Sequence, residues 1–251
     1  MKTKWMQELR SAGTEMRRSL EVDMMLRKYQ KTINGEVAIE ERIQDAWGSI
    51  YSNVTSSWRL MIKRVLDASC SFIGLIFLAP VMAIIGILVK VDSEGPMIYS
   101  QVRVGKDGNF FKMYKFRTMS QNAEKESGPT WAKKNDPRAT RLGSFLRATH
   151  LDELPQLFNV LRGEMSLVGP RPERPHFVDE LKKVIPHYER RLNAKPGITG
   201  LAQIKRTYDE TLKDVKTKVR YDRFYIEKMC PFLDVKVLVL TVGSVLFRTG
   251  R

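Results

Sequence analysis

A long apolar run in the chain extends from Ala68 to Val89 and contains 22 residues without a charge. A helix needs about 20 apolar residues to cross a bilayer core, so this run predicts a membrane-inserted helix. Pro80 lies near its middle and removes one helical hydrogen bond, which predicts a kink. Lysine and arginine flank both ends, and a single span would place one basic flank outside the cell. We therefore expect a re-entrant helix, with a spanning helix as the alternative.

A second pattern alternates with a period of two on both sides of a turn at Gly105–Asn109. Valine, isoleucine, tyrosine and phenylalanine are dense there, which predicts a β-hairpin. In its second strand the alternation places Lys115 and Arg117 on one face. Either a solvated strand face or an anion-binding face fits this pattern. Residues 120–141 are polar and contain two X-Pro breakers, so we expect a loop there.

A third pattern has helical spacing and predicts an amphipathic helix over Asp152–Arg162. Pro155 is tolerated only in a first turn, so the helix is expected to begin near Asp152, and Gly163 is expected to end it. Asp152 and Glu153 would then lie at the positive end of the helix dipole. The apolar positions of this pattern are Leu151, Leu154, Leu157, Phe158 and Leu161.

Together these patterns predict an α/β protein that is mostly helical with a small β-hairpin. We expect three parts: a helical N-terminal extension at 1–56, the membrane helix at 57–92, and a catalytic domain at 93–251. The extension is expected to dock or self-associate, as in a homo-oligomer, with a disordered tail as the alternative. The apolar segment Phe232–Phe247 is short and bounded by arginine, which predicts an amphipathic helix at the membrane interface.

Composition indicates anionic partners, because the sequence has 43 lysines and arginines but 28 acidic residues, and its formal net charge is +15. Nucleic acid, phospholipid headgroups and phosphorylated small molecules all satisfy this charge. Cys70 and Cys230 lie far apart beside apolar runs, which predicts buried free thiols rather than a disulfide or a metal site. The N-terminus has no apolar segment typical of a signal peptide.

Adjacent carboxylates near several arginines indicate phosphoryl chemistry. The pair Asp152 and Glu153 could simply cap its helix, since acidic residues are common in first turns. Alternatively it could ligate Mg²⁺, or attack phosphorus to form an acyl phosphate. The sequence has no GxxxxGK[ST] loop, no HExxH and no GxSxG, which excludes the types of active site that these motifs mark. His150 is close enough to be considered as a proton carrier.

Four segments resemble the bacterial sugar transferases, the monotopic polyprenyl-phosphate phosphoglycosyl transferases. They are "KRVLDASCSFIGLIFLAPVMAIIGILVKVDSEGPMIYSQVRVG", "FKMYKFRTM", "LDELPQLFNVLRGEMSLVGPRP" and "KPGITGLAQI". The resemblance covers roughly Ser57 to Arg251. It implies an enzyme that moves a sugar-1-phosphate from a UDP-sugar to polyprenyl phosphate with release of UMP. The expected place is the cytoplasmic face of the bacterial inner membrane, among membrane lipids, at the start of exopolysaccharide, capsule or O-antigen synthesis.

The same resemblance implies the site. Asp152 would be the nucleophile of a covalent phosphosugar intermediate, and Glu153 would complete a dyad that binds Mg²⁺. The residues expected to bind the phosphates or the nucleotide sugar are Lys115, Arg117, Arg141, Arg147 and Arg171. Many members carry Ser-Pro at the membrane-helix break, whereas this chain has Ala79-Pro80. Two other functions are weighed against transfer: a catalytically idle scaffold for polysaccharide assembly, and a membrane-anchored nucleic-acid-binding protein. No recognition helix or RNA-binding signature supports the latter.

Overall fold

The computed structural model describes residues 56–120, 123, 136–205 and 212–247. The predicted N-terminal extension lies outside them except for Ser56. Their helices are Ser56–Asp92 (α1), Arg141–Thr149 (α2), Gln156–Arg162 (α3), Pro175–Val184 (α4), Leu201–Lys205 (α5), Leu212–Lys228 (α6) and Pro231–Phe247 (α7). Short 3₁₀ segments occur at Lys106–Gly108, Leu151–Glu153 and Tyr188–Asn193. The predicted, mostly helical class with small sheets is confirmed.

Four strands form two small sheets: Ile98–Val104 (β1), Phe110–Phe116 (β2), Ser166–Val168 (β3) and Gly197–Thr199 (β4). Strands β1 and β2 pair antiparallel around the predicted turn, which confirms the hairpin. Strands β3 and β4 pair parallel. Their backbones approach so closely beyond the ladder that a Cβ on Gly197 would lie 2.1 Å from the amide nitrogen of Gly169. Only glycine fits there, because no backbone atom can move out of the way cheaply.

Helix α1 packs along one side against the other described elements. It has 37 residues, so it is about 55 Å long. Buried residues recur from Lys63 and Asp67 near its start to Ile85 and Val89 near its end. The other side is exposed and apolar, and its residues include Phe72, Ile73, Ile76, Phe77, Ile84, Ile87, Leu88 and Val91. Among the described helices, α1 meets the length and hydropathy needed to cross a membrane.

Pro80 lies inside α1, and the helix continues on both sides of it. The predicted kink is therefore still a prediction, and so is the re-entrant path. Cys70 and Cys230 are free, as predicted. The predicted burial is wrong for Cys70, whose side chain is exposed on α1, and Cys230 is only partly buried. An apolar run that faces lipid presents its small apolar residues outward, so an apolar neighbourhood in the sequence did not imply a protein interior.

Three charged side chains near the start of α1 attach the helix to the body. The guanidinium of Arg64 donates to the carbonyl oxygens of Val160 and Leu161, each at 2.7 Å. These carbonyls belong to the last turn of α3, where a cation also opposes the negative end of the helix dipole. Lys63 donates to the carboxylate of Asp234 at 2.7 Å. Asp67 accepts the backbone N–H of Leu167 at 3.1 Å. The apolar helix is thus fixed in register against α3, β3 and α7.

Replacing Arg64 with methionine is expected to lower the free energy of unfolding by about 1–3 kcal/mol, because two partly buried carbonyl oxygens lose their charged donor. Thermal unfolding in detergent micelles measures the loss. The matched control is Lys90→Met on the same helix, because Lys90 is exposed and donates to the carbonyl oxygen of Gly95 at 3.1 Å. The control is expected to stay within about 0.5 kcal/mol of wild type. Equal losses in both variants would contradict the capping role.

The C-terminal helix α7 has a mixed environment. Leu233 and Val237 are buried against the body, and the hydroxyl of Thr241 lies 2.7 Å from that of Thr199. Exposed apolar residues cover another side of the helix, among them Phe232, Val235, Val239 and Val242. Helix α7 is therefore apolar on its outer side as well as on the side that packs against the body. Its position in the membrane interface stays a prediction.

Candidate active site

The two adjacent carboxylates lie on a 3₁₀ turn between α2 and α3. The expectation that the helix begins near Asp152 is wrong, because α3 begins at Gln156. Pro155 has no N–H to close an α-helical turn, and the preceding residues use shorter i to i+3 bonds. The amide of Glu153 donates to the carbonyl of His150 at 3.1 Å. Gly163 ends α3 with φ 83°, as expected.

Glu153 is held by two cations on one oxygen. The ammonium of Lys115 and the guanidinium of Arg171 each lie 2.7 Å from its Oε1 atom. Burial alone would raise the pKa of this carboxyl, but Arg171 and Lys115 outweigh it and hold the pKa of Glu153 well below its ordinary value. Arg171 in turn has a raised pKa, chiefly because it faces Glu153. Glu153 is therefore a permanently ionised anchor for two positive charges.

Asp152 has a different environment from its neighbour. It is 5% exposed, and its Oδ2 atom lies 3.9 Å from the ammonium of Lys115, beyond hydrogen-bond distance. Burial raises the pKa of Asp152, and Lys115 offsets only part of this effect. A desolvated carboxylate is more basic and more nucleophilic than a solvated one. The two adjacent acids therefore have different pKa values. Such a difference is common where one acid reacts and the other holds neighbouring groups in place.

Strand β3 and its following turn place Arg171. The backbone N–H of Gly169 donates to Thr199, and the N–H of Gly197 donates to Pro170, both at 2.9 Å. These bonds hold the Gly-Pro-Arg-Pro turn against β4. The side chain of Arg171 extends from this turn to Glu153 and is 36% exposed. It can therefore meet a ligand while it remains paired.

The other predicted binding residues lie in different places. Arg117 is buried and donates to the carbonyl oxygens of Pro96, Val89 and Ser93. It fixes the C-terminal end of α1, and the structure does not bring its side chain to the dyad. Arg147 is half-buried near the end of α2. The pKa of Asp136 is lowered chiefly by the hydrogen bond from Arg138, with a smaller contribution from Arg147. Arg141 is exposed at the first residue of α2. The phosphate-binding roles of these three arginines stay predictions.

Sequence reasoning missed Asn159, which is fully buried in α3. Its Oδ1 accepts the backbone N–H of Tyr114 at 3.1 Å, and its Nδ2 donates to the carbonyl of Lys112 at 2.7 Å. The side chain thereby ties α3 to the edge of β2 beside Lys115, which is how Lys115 comes to face Glu153. The predicted apolar stripe did not point to it, because the buried residues of α3 are Gln156, Asn159 and Val160, whereas Phe158 of that stripe is exposed.

Glu173, a largely buried glutamate, follows the same turn and yields a pH prediction. Burial alone would raise the pKa of Glu173, but Lys218, Arg191 and Arg103 together lower it to about 2. A lowered pKa means that the stabilisation is complete above the ordinary pKa near 4.5 and is lost as the pH falls towards 2.

Glu173→Gln is therefore expected to cost up to about 3 kcal/mol of unfolding free energy at neutral pH, and progressively less as the medium is acidified below pH 4.5. Thermal unfolding of both proteins across this pH range measures the difference. A difference that is constant with pH would contradict the ion-pair origin of the effect.

Several known proteins are similar to this chain in sequence. The chain is 38% identical to the Aeromonas hydrophila UDP-N-acetylgalactosamine-undecaprenyl-phosphate N-acetylgalactosaminephosphotransferase over 90% of its length and 52% of that protein. It is 42% identical to the Klebsiella pneumoniae UDP-glucose:undecaprenyl-phosphate glucose-1-phosphate transferase over 77% of its length and 42% of that protein. It is 39% identical to the Rhizobium leguminosarum exopolysaccharide production protein PSS over 75% of its length and 97% of that protein.

The first two of these relatives are much longer, and the chain spans about half of each or less. The Rhizobium protein is matched over nearly its whole length. Residues 58–248 match the family described as bacterial sugar transferase, and this stretch includes nearly all of α1, the dyad turn and the whole of α7. The chain belongs to the bacterial sugar transferase family.

Proposed function

We propose that this protein transfers a sugar-1-phosphate from a UDP-sugar to undecaprenyl phosphate and releases UMP, as the first step of exopolysaccharide, capsule or O-antigen synthesis. One observation carries the proposal. A buried carboxylate with a raised pKa, Asp152, adjoins a second carboxylate that Lys115 and Arg171 neutralise. This arrangement presents a nucleophile together with two cations, which suits an attack on a diphosphate. The names of the relatives support the substrates.

In the first step a carboxylate oxygen of Asp152 attacks the phosphorus that bears the sugar. A bond forms between that oxygen and phosphorus, and the bond from phosphorus to the bridging diphosphate oxygen breaks. UMP leaves with the electron pair, and an aspartyl phosphosugar remains. Lys115 and Arg171 would neutralise charge that develops on the equatorial and leaving oxygens, and they would lower the repulsion between an anionic nucleophile and an anionic donor.

In the second step a phosphate oxygen of the lipid acceptor attacks the same phosphorus. The bond between phosphorus and Asp152 breaks, the carboxylate is regenerated, and the polyprenyl diphosphate sugar departs. Dividing the reaction in this way lets one small site serve a water-soluble donor and a lipid acceptor in turn. Leu151 and Leu154, which flank the dyad, pack against the cluster of Ile85 and Val89 on α1. The lipid-facing helix and the reactive carboxylate are therefore neighbours.

Magnesium fits the donor set of this site. Mg²⁺ is held in proteins by one or two carboxylates together with substrate phosphates and water, rather than by a full protein cage. Asp152 and Glu153 offer two adjacent carboxylates, and no cluster of three or more ligand side chains occurs within the described ranges. The Glu153 Oε1 atom is taken by two cations, so the second oxygen of Glu153 and the carboxylate of Asp152 would be the ligands. The ion would supply further neutralisation of the diphosphate.

We also propose that the protein is monotopic, at the cytoplasmic face of the bacterial inner membrane. Both halves of α1 pack on the same body: Gly74 lies against Leu157 of α3, and Ile85 lies in one cluster with Phe116 and Leu146. A helix that spanned the bilayer alone would have to leave this body at one end. Insertion of the apolar outer side into one leaflet keeps these contacts and leaves both ends on one side, as a re-entrant path requires.

Release of UMP tests the activity. Purified full-length protein in detergent or nanodiscs is incubated with a panel of UDP-sugars that includes UDP-glucose and UDP-N-acetylgalactosamine. Multiple-turnover release of UMP is expected only with undecaprenyl phosphate and Mg²⁺ both present, and the lipid is expected to gain the labelled sugar. Without the lipid, release is expected to stop at about one UMP per protein, as the covalent intermediate accumulates. Loss of UMP release on adding a chelator tests the magnesium requirement. No UMP release with any donor would favour the scaffold function instead.

Labelling tests the topology. Single cysteines are placed at positions 59 and 94, on either side of the apolar run, in a chain with Cys70→Ala and Cys230→Ala. A membrane-impermeant maleimide is expected to label both positions in inside-out vesicles and neither in right-side-out vesicles. Labelling of the two positions from opposite sides would show a spanning helix.

A further inference from the structure

A buried arginine outside the dyad holds the backbone of Arg171. The guanidinium of Arg191 donates to the carbonyl oxygen of Arg171 at 2.8 Å. It also pairs with the carboxylate of Asp222 at 2.8 Å and donates to the hydroxyl of Tyr188 at 2.6 Å. The guanidinium group therefore connects three parts of the chain: the turn after β3, helix α6, and the 3₁₀ segment Tyr188–Asn193.

This arginine is costly to bury. The side chains of Arg191 and Asp222 are 4% and 2% exposed. Removing two such charges from water costs several kcal/mol, and well-packed apolar residues often give equal stability. A buried ion pair alone therefore does not explain the geometry. The contact that an apolar pair could not reproduce is the bond to the Arg171 carbonyl.

The bond from Arg191 acts on Arg171, a residue of the proposed site. The backbone of Arg171 is held by Arg191, and the side chain of the same residue lies 2.7 Å from Glu153. A continuous series of contacts thus runs from Asp222 through Arg191 and Arg171 to Glu153. Guanidinium groups work as bidentate, directional donors, so a small displacement of the backbone weakens their pairing.

We propose that Arg191 is a positioning residue for sugar-phosphate transfer, which holds the Arg171 carbonyl so that the Arg171 guanidinium faces the dyad. The inference rests on the proposed function. It predicts that Arg191 acts on turnover through Arg171, whereas a core ion pair would affect only stability. The two roles differ in one measurable respect: effects that pass through Arg171 are not additive with its removal.

The test is a double-mutant cycle on the full-length protein. Arg191→Lys keeps a charge for Asp222, but a single ammonium cannot reach all three acceptors in the fork geometry. We expect it to lower kcat by about tenfold, with KM for the UDP-sugar within about threefold of wild type. The variant carrying both Arg191→Lys and Arg171→Ala is expected to be no slower than Arg171→Ala alone. Turnover is normalised to the folded fraction in each preparation.

Two further variants complete the test: the first is a control, and the second is another way to loosen Arg191. Lys218 lies on α6, as Asp222 does, and pairs with Glu173. Lys218→Met breaks this pair and leaves the contact between Arg191 and Arg171 intact. It is expected to lower the Tm at least as much as Arg191→Lys and to keep kcat within about threefold. Asp222→Asn loosens Arg191 without replacing it and is expected to slow turnover as Arg191→Lys does.

Wild-type turnover in Arg191→Lys, or rate losses that multiply in the double variant, would overturn the inference and leave the proposed function intact. Wild-type turnover in Arg171→Ala would instead remove Arg171 from the proposed site, and the inference with it. The cycle therefore separates the two failures.

Discussion

Asp152→Asn is expected to lower UMP release by at least about 10³-fold and to abolish the covalent adduct. An amide oxygen is a far weaker nucleophile than a carboxylate, and the isosteric change preserves the shape of the turn. Radiolabelled UDP-sugar, acid-quenched without acceptor, is expected to leave label on wild-type protein and none on the variant.

Asp179→Asn is the matched control, because Asp179 is exposed on α4. Its turnover is expected to equal that of wild type, and it is expected to form the adduct normally. Protein-bound label in the Asp152 variant, or turnover within tenfold of wild type, would remove Asp152 as the nucleophile. Glu153 would then be the nucleophile to test, although its two cations leave it less reactive.

Arg171→Ala is expected to lower kcat by about 10²- to 10³-fold. The loss has two physical origins. A bound diphosphate would lose a partly exposed cation, and among the described residues the carboxylate of Glu153 would keep only Lys115 as an ion-pair partner. Turnover at saturating donor and acceptor measures the effect, and thermal unfolding shows how much of it comes from lost stability.

The control for this variant lies three residues along the chain. The guanidinium of Arg174 lies 6.0 Å from the ring centre of Phe177 at the start of α4. Arg174→Ala is expected to keep kcat within about threefold. Partial recovery in Arg171→Lys would agree with a role for positive charge, whereas equal loss in the Arg171 and Arg174 variants would contradict a specific one.

Local patterns predicted much of this architecture because each concerns residues close together in the chain. The uncharged run from Ala68 to Val89 demands a helix in an apolar environment, whatever its partners. Period-two alternation around a glycine-rich turn demands a hairpin. Pro155 and Gly163 limit the helix after the dyad, and the error of four residues at its start arose because proline stops α-helical bonding without stopping 3₁₀ bonding.

The sequence identified fewer of the side chains at the site. Alternation shows which residues lie on the same face of a strand, but it does not show which segments pack against that face. Lys115 and Arg117 were placed together, yet Lys115 reaches Glu153 and Arg117 caps the end of α1. Asn159, Arg191 and Asp222 carried no recognised motif. Their roles depend on partners 20 to 47 residues away in the chain.

By itself the sequence determined the element types, the apolar helix, the acidic pair and the family. Tertiary structure alone decided which cations neutralise which acid, and hence why adjacent carboxylates differ in pKa. The reason is that electrostatic energy depends on distance and burial, and both are set where distant segments meet. Asp152 and Glu153 are neighbours in the chain, but their different chemistry comes from a strand, a turn and a helix that fold around them.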